Sequence, residues 1–408
     1  MQAGHNIIAT NNSKKININN LLLVIVLLDL LLFPYIRALH CGIGMILVAM
    51  WCFFHISKIS LSTWLFVLLV FFSNVMGAAF FELGTKGLVS AIMIIYIFFL
   101  YDYLSQAFVQ NLHIVKRIML IYIFFNLILA LIYIKAPQQY FSTRSLWTMS
   151  GSEINFTELQ ISRFTSIYSD PNNAGCSLTI LLSYLLIYEK LSKAQLVCAL
   201  SITLVCVVLT FSVSATVLFS FVLVIVLAFA YKTEDQKETR NIMIAFFIIA
   251  VLFLIVYLSV SSNSLSDNLF VKTLQNRIKK NTEDNNLGGR VTIWINLLTS
   301  VNPFSFILFG HGMVLDNANK IYAPHNGLLY LLYAYGLPSV IVFLNKFTSF
   351  IKDKFIYSLP IFITFTTIFI NTGFSDYRFI TISTLVVVLC KVKYRSITST
   401  QTSVTHPI

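Results

Sequence analysis

Apolar runs of about 20 residues recur along almost the whole chain, and no other feature limits the possible folds so tightly. They fall at 21–38, 41–57, 61–81, 87–104, 118–135, 172–188, 194–211, 214–231, 241–260, 325–345, 354–372 and 377–392. A barrel strand needs only about 10 alternating residues, so runs of this length select helices, which satisfy their own backbone in hydrocarbon. With 57% hydrophobic residues, 11% charged residues and a mean hydropathy of +0.81, no soluble core could absorb the apolar side chains. The expected fold is all-α: a polytopic transmembrane helical bundle of about 12 spans in a single domain over residues 21–392.

The formal charge of +12 reads first as topology and not as a nucleic-acid signal. With the N-terminus in the cytoplasm, 16 Lys/Arg fall inside and 12 outside, and nine of those 12 lie in or beside two long loops. Long loops escape the positive-inside rule, so both termini are expected in the cytoplasm: tails 1–20 and 393–408. Loops 136–171 and 261–324 then share the outer side, where the long connections of a compact bundle carry function. Lys14 and Lys15 precede the first run, which lacks a small-residue cleavage site and reads as a span. The six cysteines are scattered through the apolar runs, so neither a disulfide framework nor a cysteine metal site is indicated. No internal repeat of the transporter kind is visible.

Candidate chemistry concentrates on the outer side. Arg163 opens R-F-T-S-I-Y-S-D-P-N-N-A-G, in which Asp170-Pro171 signals a helix start and Gly175 permits a close approach. Arg163 is either a snorkelling interfacial arginine or a bidentate phosphate ligand. Arg290 follows Gly288-Gly289, where the backbone can approach an anion closely. His325 and Asn326 sit at the outer start of a span; an imidazole there is an interfacial residue or a base near neutral pH. His311, between Gly310 and Gly312, reads as part of a tight turn. The two histidines lack metal-ligand spacing, so no metal or cofactor is expected. Asp376 and Arg378 either pair with each other or line the same outer cavity. Asp29, Asp102 and Glu82 are ionisable groups in or near spans and are candidates on that ground alone.

These motifs, in this order, resemble the bacterial O-antigen polymerase and ligase superfamily of membrane glycosyltransferases, the Wzy-type polymerases among them. The residues that carry the resemblance are 163–175, G-G-R-V-T-I-W at 288–294, F-G-H-G at 309–312, and His325-Asn326 with Gly336. The resemblance implies a GT-C-like fold in the bacterial inner membrane, with a large periplasmic loop over a lipid-facing cavity. It also implies that Arg163 and Arg290 bind undecaprenyl pyrophosphate and that His325 is catalytic. Gly289, His311, Asn326, Asp376 and Arg378 are the expected substrate contacts. The implied partners are an undecaprenyl-pyrophosphate-linked oligosaccharide, membrane lipids and a chain-length regulator protein. Gly336 is followed by Leu337-Pro338 where the ligase pattern carries a Thr-Thr pair, which favours polymerase over ligase. A flippase or other transporter of lipid-linked oligosaccharides is the alternative from another class.

Overall fold

A computed structural model describes residues 18–36, 41–80, 85–144, 146–147, 163–230, 236–259, 295, 307–310, 312, 326–348, 355–370 and 376–405. They form helices α1 (Ile18–Leu31), α2 (Ile43–Phe54), α3 (Leu61–Phe80), α4 (Thr85–Lys135), α5 (Pro137–Arg144) and α6 (Pro171–Tyr188). The others are α7 (Lys193–Leu209), α8 (Val213–Phe229), α9 (Lys237–Ser259), α10 (Gly327–Thr348), α11 (Phe355–Ile370) and α12 (Tyr377–Thr405). Each expected apolar run overlaps one of these helices, although the run 21–38 leaves its helix at Leu31. Among the described residues, four stretches are long and apolar enough to cross a membrane: Leu61–Ala79, Ala91–Phe108, Ile114–Lys135 and Gly327–Thr348. Others are shorter than expected; the 12 residues of α2 span only about 18 Å, less than a hydrocarbon core of about 30 Å.

α4 carries both of the spans expected at 87–104 and 118–135, as the stretches Ala91–Phe108 and Ile114–Lys135. Between Leu88 and Lys135 there is no glycine or proline to interrupt hydrogen bonding. The run nevertheless comprises two limbs that point in opposite directions. Along the first, Tyr96 packs its ring against Tyr377 at the start of α12, and Tyr101 accepts a hydrogen bond from Lys391 farther along it, at 2.8 Å. Along the second, Lys116 donates to the carbonyl of Lys190, beside Glu189, which is paired with Lys393 at 2.9 Å. Tyr122 then returns toward the first end, where its hydroxyl meets that of Tyr168 at 2.7 Å. The chain therefore reverses between Tyr101 and Lys116, close to where the sequence placed a basic connection. The structure differs from the sequence expectation in the loop 136–171, which begins with α5. Its Tyr140 hydroxyl accepts from the Thr165 amide at 3.0 Å and so ties the two ends of that segment together.

Polar groups collect at the two ends of the bundle. At one end the buried Lys346 of α10 donates to Asp102 Oδ1 of α4 at 2.7 Å, Ser60 Oγ at 2.6 Å and Thr63 Oγ1 at 2.7 Å. Thr63 and the Ser60 amide satisfy Asp102 Oδ2 at 2.6 and 3.0 Å. Asp102, a functional candidate by depth alone, thus has a structural partner that fixes α3, α4 and α10 together. Asp376 lies at the opposite end.

Candidate functional site

Three helix termini meet at Arg163. The Phe164 amide donates to the Leu209 carbonyl at 3.2 Å, which lays the 163–170 segment against the turn joining α7 to α8. Arg163, half-buried, directs Nε to the Thr210 carbonyl at the end of α7 and Nη2 to Asn172 Oδ1 at 3.1 Å. Ser212, the N-cap of α8, donates to the same Asn172 oxygen at 2.7 Å while accepting from the Ala215 amide at 3.2 Å. Asp170 caps α6 by accepting the Asn172 amide at 2.6 Å, with Pro171 at the first helical position. A guanidinium is favourable at the negative end of α7, and it stands beside the positive N-terminal ends of α6 and α8. The combination of a cation with two helix N-termini favours an anion at this junction.

The junction is held by strained and buried groups. Ser166 (φ 53°) and Phe211 (φ 47°) are non-glycine residues in the left-handed region, a conformation that persists only where the surroundings enforce it. The Ser166 hydroxyl donates to Asn126 Oδ1 on the second limb of α4. Burial pushes the Tyr168 phenol well above its ordinary pKa, and its hydroxyl stays neutral beside that of Tyr122. At Gly175 an added Cβ would come within 2.5 Å of Ala215 Cβ, so the absent side chain is what lets α6 and α8 approach here.

Asp376 and Arg378 do not pair with each other. Buried Asp376 accepts through Oδ2 from the Ser169 amide at 2.9 Å, the Ser169 hydroxyl at 2.7 Å and Asn173 Nδ2 at 3.3 Å. Its Oδ1 accepts the Phe379 amide at 3.3 Å, so one carboxylate ties the start of α12 to the Arg163 segment. Arg378, only 2% exposed, donates to the carbonyls of Asp29, Leu30, Phe33 and Trp147 and lies 4.4 Å over the Tyr35 ring. It caps the carbonyl end of α1, a structural duty that the sequence did not suggest.

The glycine of the fourth motif, Gly336, breaks α10. Gly336 adopts φ 75° and ψ 171°, a conformation essentially reserved to glycine. Pro338 has no amide to offer the Ala334 carbonyl, and that carbonyl instead accepts the Gly312 amide at 2.9 Å. Gly310 (φ 67°) packs so closely that a Cβ there would lie 2.5 Å from Ala334 backbone atoms. The F-G-H-G and His-Asn-x9-Gly motifs therefore meet through their glycines. Asn326 caps α10, its Oδ1 accepting the amides of Leu328 and Leu329 at 3.0 and 3.1 Å.

Of the expected site residues, Arg163, Asn326, Asp376 and Arg378 have described positions. Arg290, Gly289, His311 and His325 lie outside the described residues. Through Ser169 the structure ties Asp376 to the segment that carries Arg163, and it adds Asn172, Thr210 and Ser212 around Arg163, which sequence reading left out as its partners. Asn172 lay within the motif that Arg163 opens, and the signal for Thr210 and Ser212 was the short break between the apolar runs 194–211 and 214–231. Among the described residues, no group of three or more His, Cys, Asp or Glu side chains is placed to hold a metal ion.

A family model described as O-antigen ligase matches residues 198–344, from α7 into α10. The match supports the O-antigen polymerase/ligase superfamily. The superfamily match covers Arg290, His311, His325 and the break at Gly336, while Arg163 and Asp376 lie outside it. No curated protein matches the chain.

Proposed function

We propose that the protein is an O-antigen polymerase of the bacterial inner membrane, acting at the periplasmic face on undecaprenyl-pyrophosphate-linked glycans. The observation that carries this reading is the meeting of Arg163 with the N-termini of α6 and α8, a setting suited to a pyrophosphate. Arg290, on the glycine pair of the outer segment, supplies the second cation. The bond from the donor's anomeric carbon to the pyrophosphate oxygen breaks, and a hydroxyl oxygen of the next lipid-linked repeat unit takes its place. His325, one residue before the Asn326 cap, accepts the hydroxyl proton, and undecaprenyl pyrophosphate leaves with its charge held by the arginines. The donor carries its own leaving group, so no nucleotide sugar is required.

Ligation to lipid A-core is the second reading, favoured by the description of the matching family. Deleting the gene separates the two. Loss of a polymerase leaves core capped with one repeat unit, whereas loss of a ligase leaves polymer on its lipid carrier, unattached to core. Normal-length, core-attached polymer in the deletion strain would sink both readings.

A further inference from the structure

Four buried oxygens near the Arg378 end of the bundle have no hydrogen-bond partner among the described residues. They are Asp29 Oδ1 of α1, the Tyr35 hydroxyl just past α1, and the hydroxyls of Tyr96 on α4 and Tyr377 on α12. The four form one group. The Tyr377 ring lies 5.5 Å from that of Tyr35 and 5.8 Å from that of Tyr96, and the Asp29 charge acts on all three phenols. The Tyr96 and Tyr377 hydroxyls face each other without a well-formed hydrogen bond. Asp29, Tyr96 and Tyr377 are 3%, 5% and 7% exposed.

The carboxylate is fixed in place. Its Oδ2 stands against the start of α2, where a Cβ on Gly42 or Gly44 would collide with it, while Arg378 holds the Asp29 carbonyl at 3.3 Å. The group also lies deep: Tyr96 falls within the apolar stretch Ala91–Phe108, six residues before Asp102, or about 9 Å of helix rise from the Lys346 cluster. At that depth neither bulk water nor lipid offers a partner, and four polar atoms left dry would forfeit a large part of a protein's net stability. The charges around the group select what satisfies it. The Arg378 guanidinium, 4.4 Å over the Tyr35 ring, disfavours a cation, and the carboxylates of Asp29 and Asp376 disfavour an anion. Phenols donate and accept while a carboxylate only accepts, so the group calls for a small neutral molecule that does both, which with several polar partners describes a buried water. We propose that bound water bridges Asp29 Oδ1 to the hydroxyls of Tyr35, Tyr96 and Tyr377, joining α1, α4 and α12 through a hydrated site inside the bundle. The inference stands whichever reaction the protein catalyses.

X-ray radiolytic footprinting of the purified full chain in lipid nanodiscs tests it, without any glycan, so that no sugar hydroxyl can stand in for water. Hydroxyl radicals made from bound water oxidise the side chains that touch it, so Tyr96 and Tyr377 should be labelled although bulk water does not reach them. Tyr122, buried with its hydroxyl bonded to Tyr168, is the dry control. Asp29→Leu removes the acceptor that anchors the water and should abolish the label at both tyrosines. Should that variant fail to fold, Tyr377→Phe takes its place with Tyr96 as reporter. Tyr96 and Tyr377 as unlabelled as Tyr122 would overturn the proposal. So would a Tyr96 label that persists in the variant, because Tyr96 also lines a lateral gap with Met45 and Trp64, and water held there would not need Asp29. Tyr96→Phe keeps the ring and deletes only the hydroxyl, so it should lower the unfolding temperature in detergent. An unchanged or raised temperature would mean that the hydroxyl was dry, which also overturns the proposal.

Discussion

The Ala334 carbonyl takes its hydrogen bond from the Gly312 amide, because the residue one helical turn ahead of it is Pro338. Hydrocarbon does not tolerate a freed carbonyl, and here Gly312 supplies the missing donor. The break in α10 and the docking of residues 307–312 are therefore one feature.

Gly336→Ala must force alanine into a backbone conformation that costs about 1–3 kcal/mol and bring its Cβ toward the Leu308 carbonyl oxygen, 2.7 Å away. The expected result is a lower unfolding temperature in detergent with reduced polymer in cells. Pro338→Ala restores a competing amide and should loosen the outer segment, seen as faster proteolysis there with little change in global stability. A Gly336→Ala protein as stable as the wild type would refute the account of the break.

Arg163→Lys keeps the charge but loses the planar fork that reaches both the Thr210 carbonyl and Asn172, so it should lose nearly as much activity as Arg163→Ala. The readout is elongation of defined lipid-linked repeat units by purified protein. Full activity in the lysine variant would reduce Arg163 to an interfacial charge. In the same assay His325→Gln, able to hydrogen-bond but not to act as a base near neutral pH, should fall by about 10²–10⁴.

Removing one partner of the buried Lys346–Asp102 pair leaves an uncompensated charge, at a cost of about 3–5 kcal/mol. Lys346→Met and Asp102→Leu should each destabilise strongly, and the double variant should recover much of the loss. Denaturant unfolding of all four proteins measures the coupling, and additive losses would show that the pair does not act as a unit.

What was legible in the sequence was local. Asp170-Pro171 marked the start of α6 because a cap and an N1 proline act within one turn, and Gly175 marked a close helix approach because only a missing Cβ allows it. The turn back within α4 was signalled by Lys116-Arg117 but not by any helix breaker, so its hydrogen bonding could not be foreseen. Asn172 with Ser212, and Asp376 with Ser169, are 40 and 207 residues apart, and Arg378 reaches carbonyls about 350 positions away. Such partners depend on how whole helices pack, for which a single sequence holds no pattern. Asp376 shares an end of the bundle with the Arg163 segment, yet its role as a staple follows only from which amides surround it.

The sequence separation of 244 between Asp102 and Lys346 sets an order of events during synthesis. Asp102 enters the membrane with the first limb of α4, long before the ribosome has made α10. Until Lys346 arrives, that carboxylate has only hydroxyls and an amide for company, so the early helices stay an open, provisional assembly. The last third of the chain then completes the first third, and a protein cut in the connection before α9 could mature only if both fragments were made in the same cell.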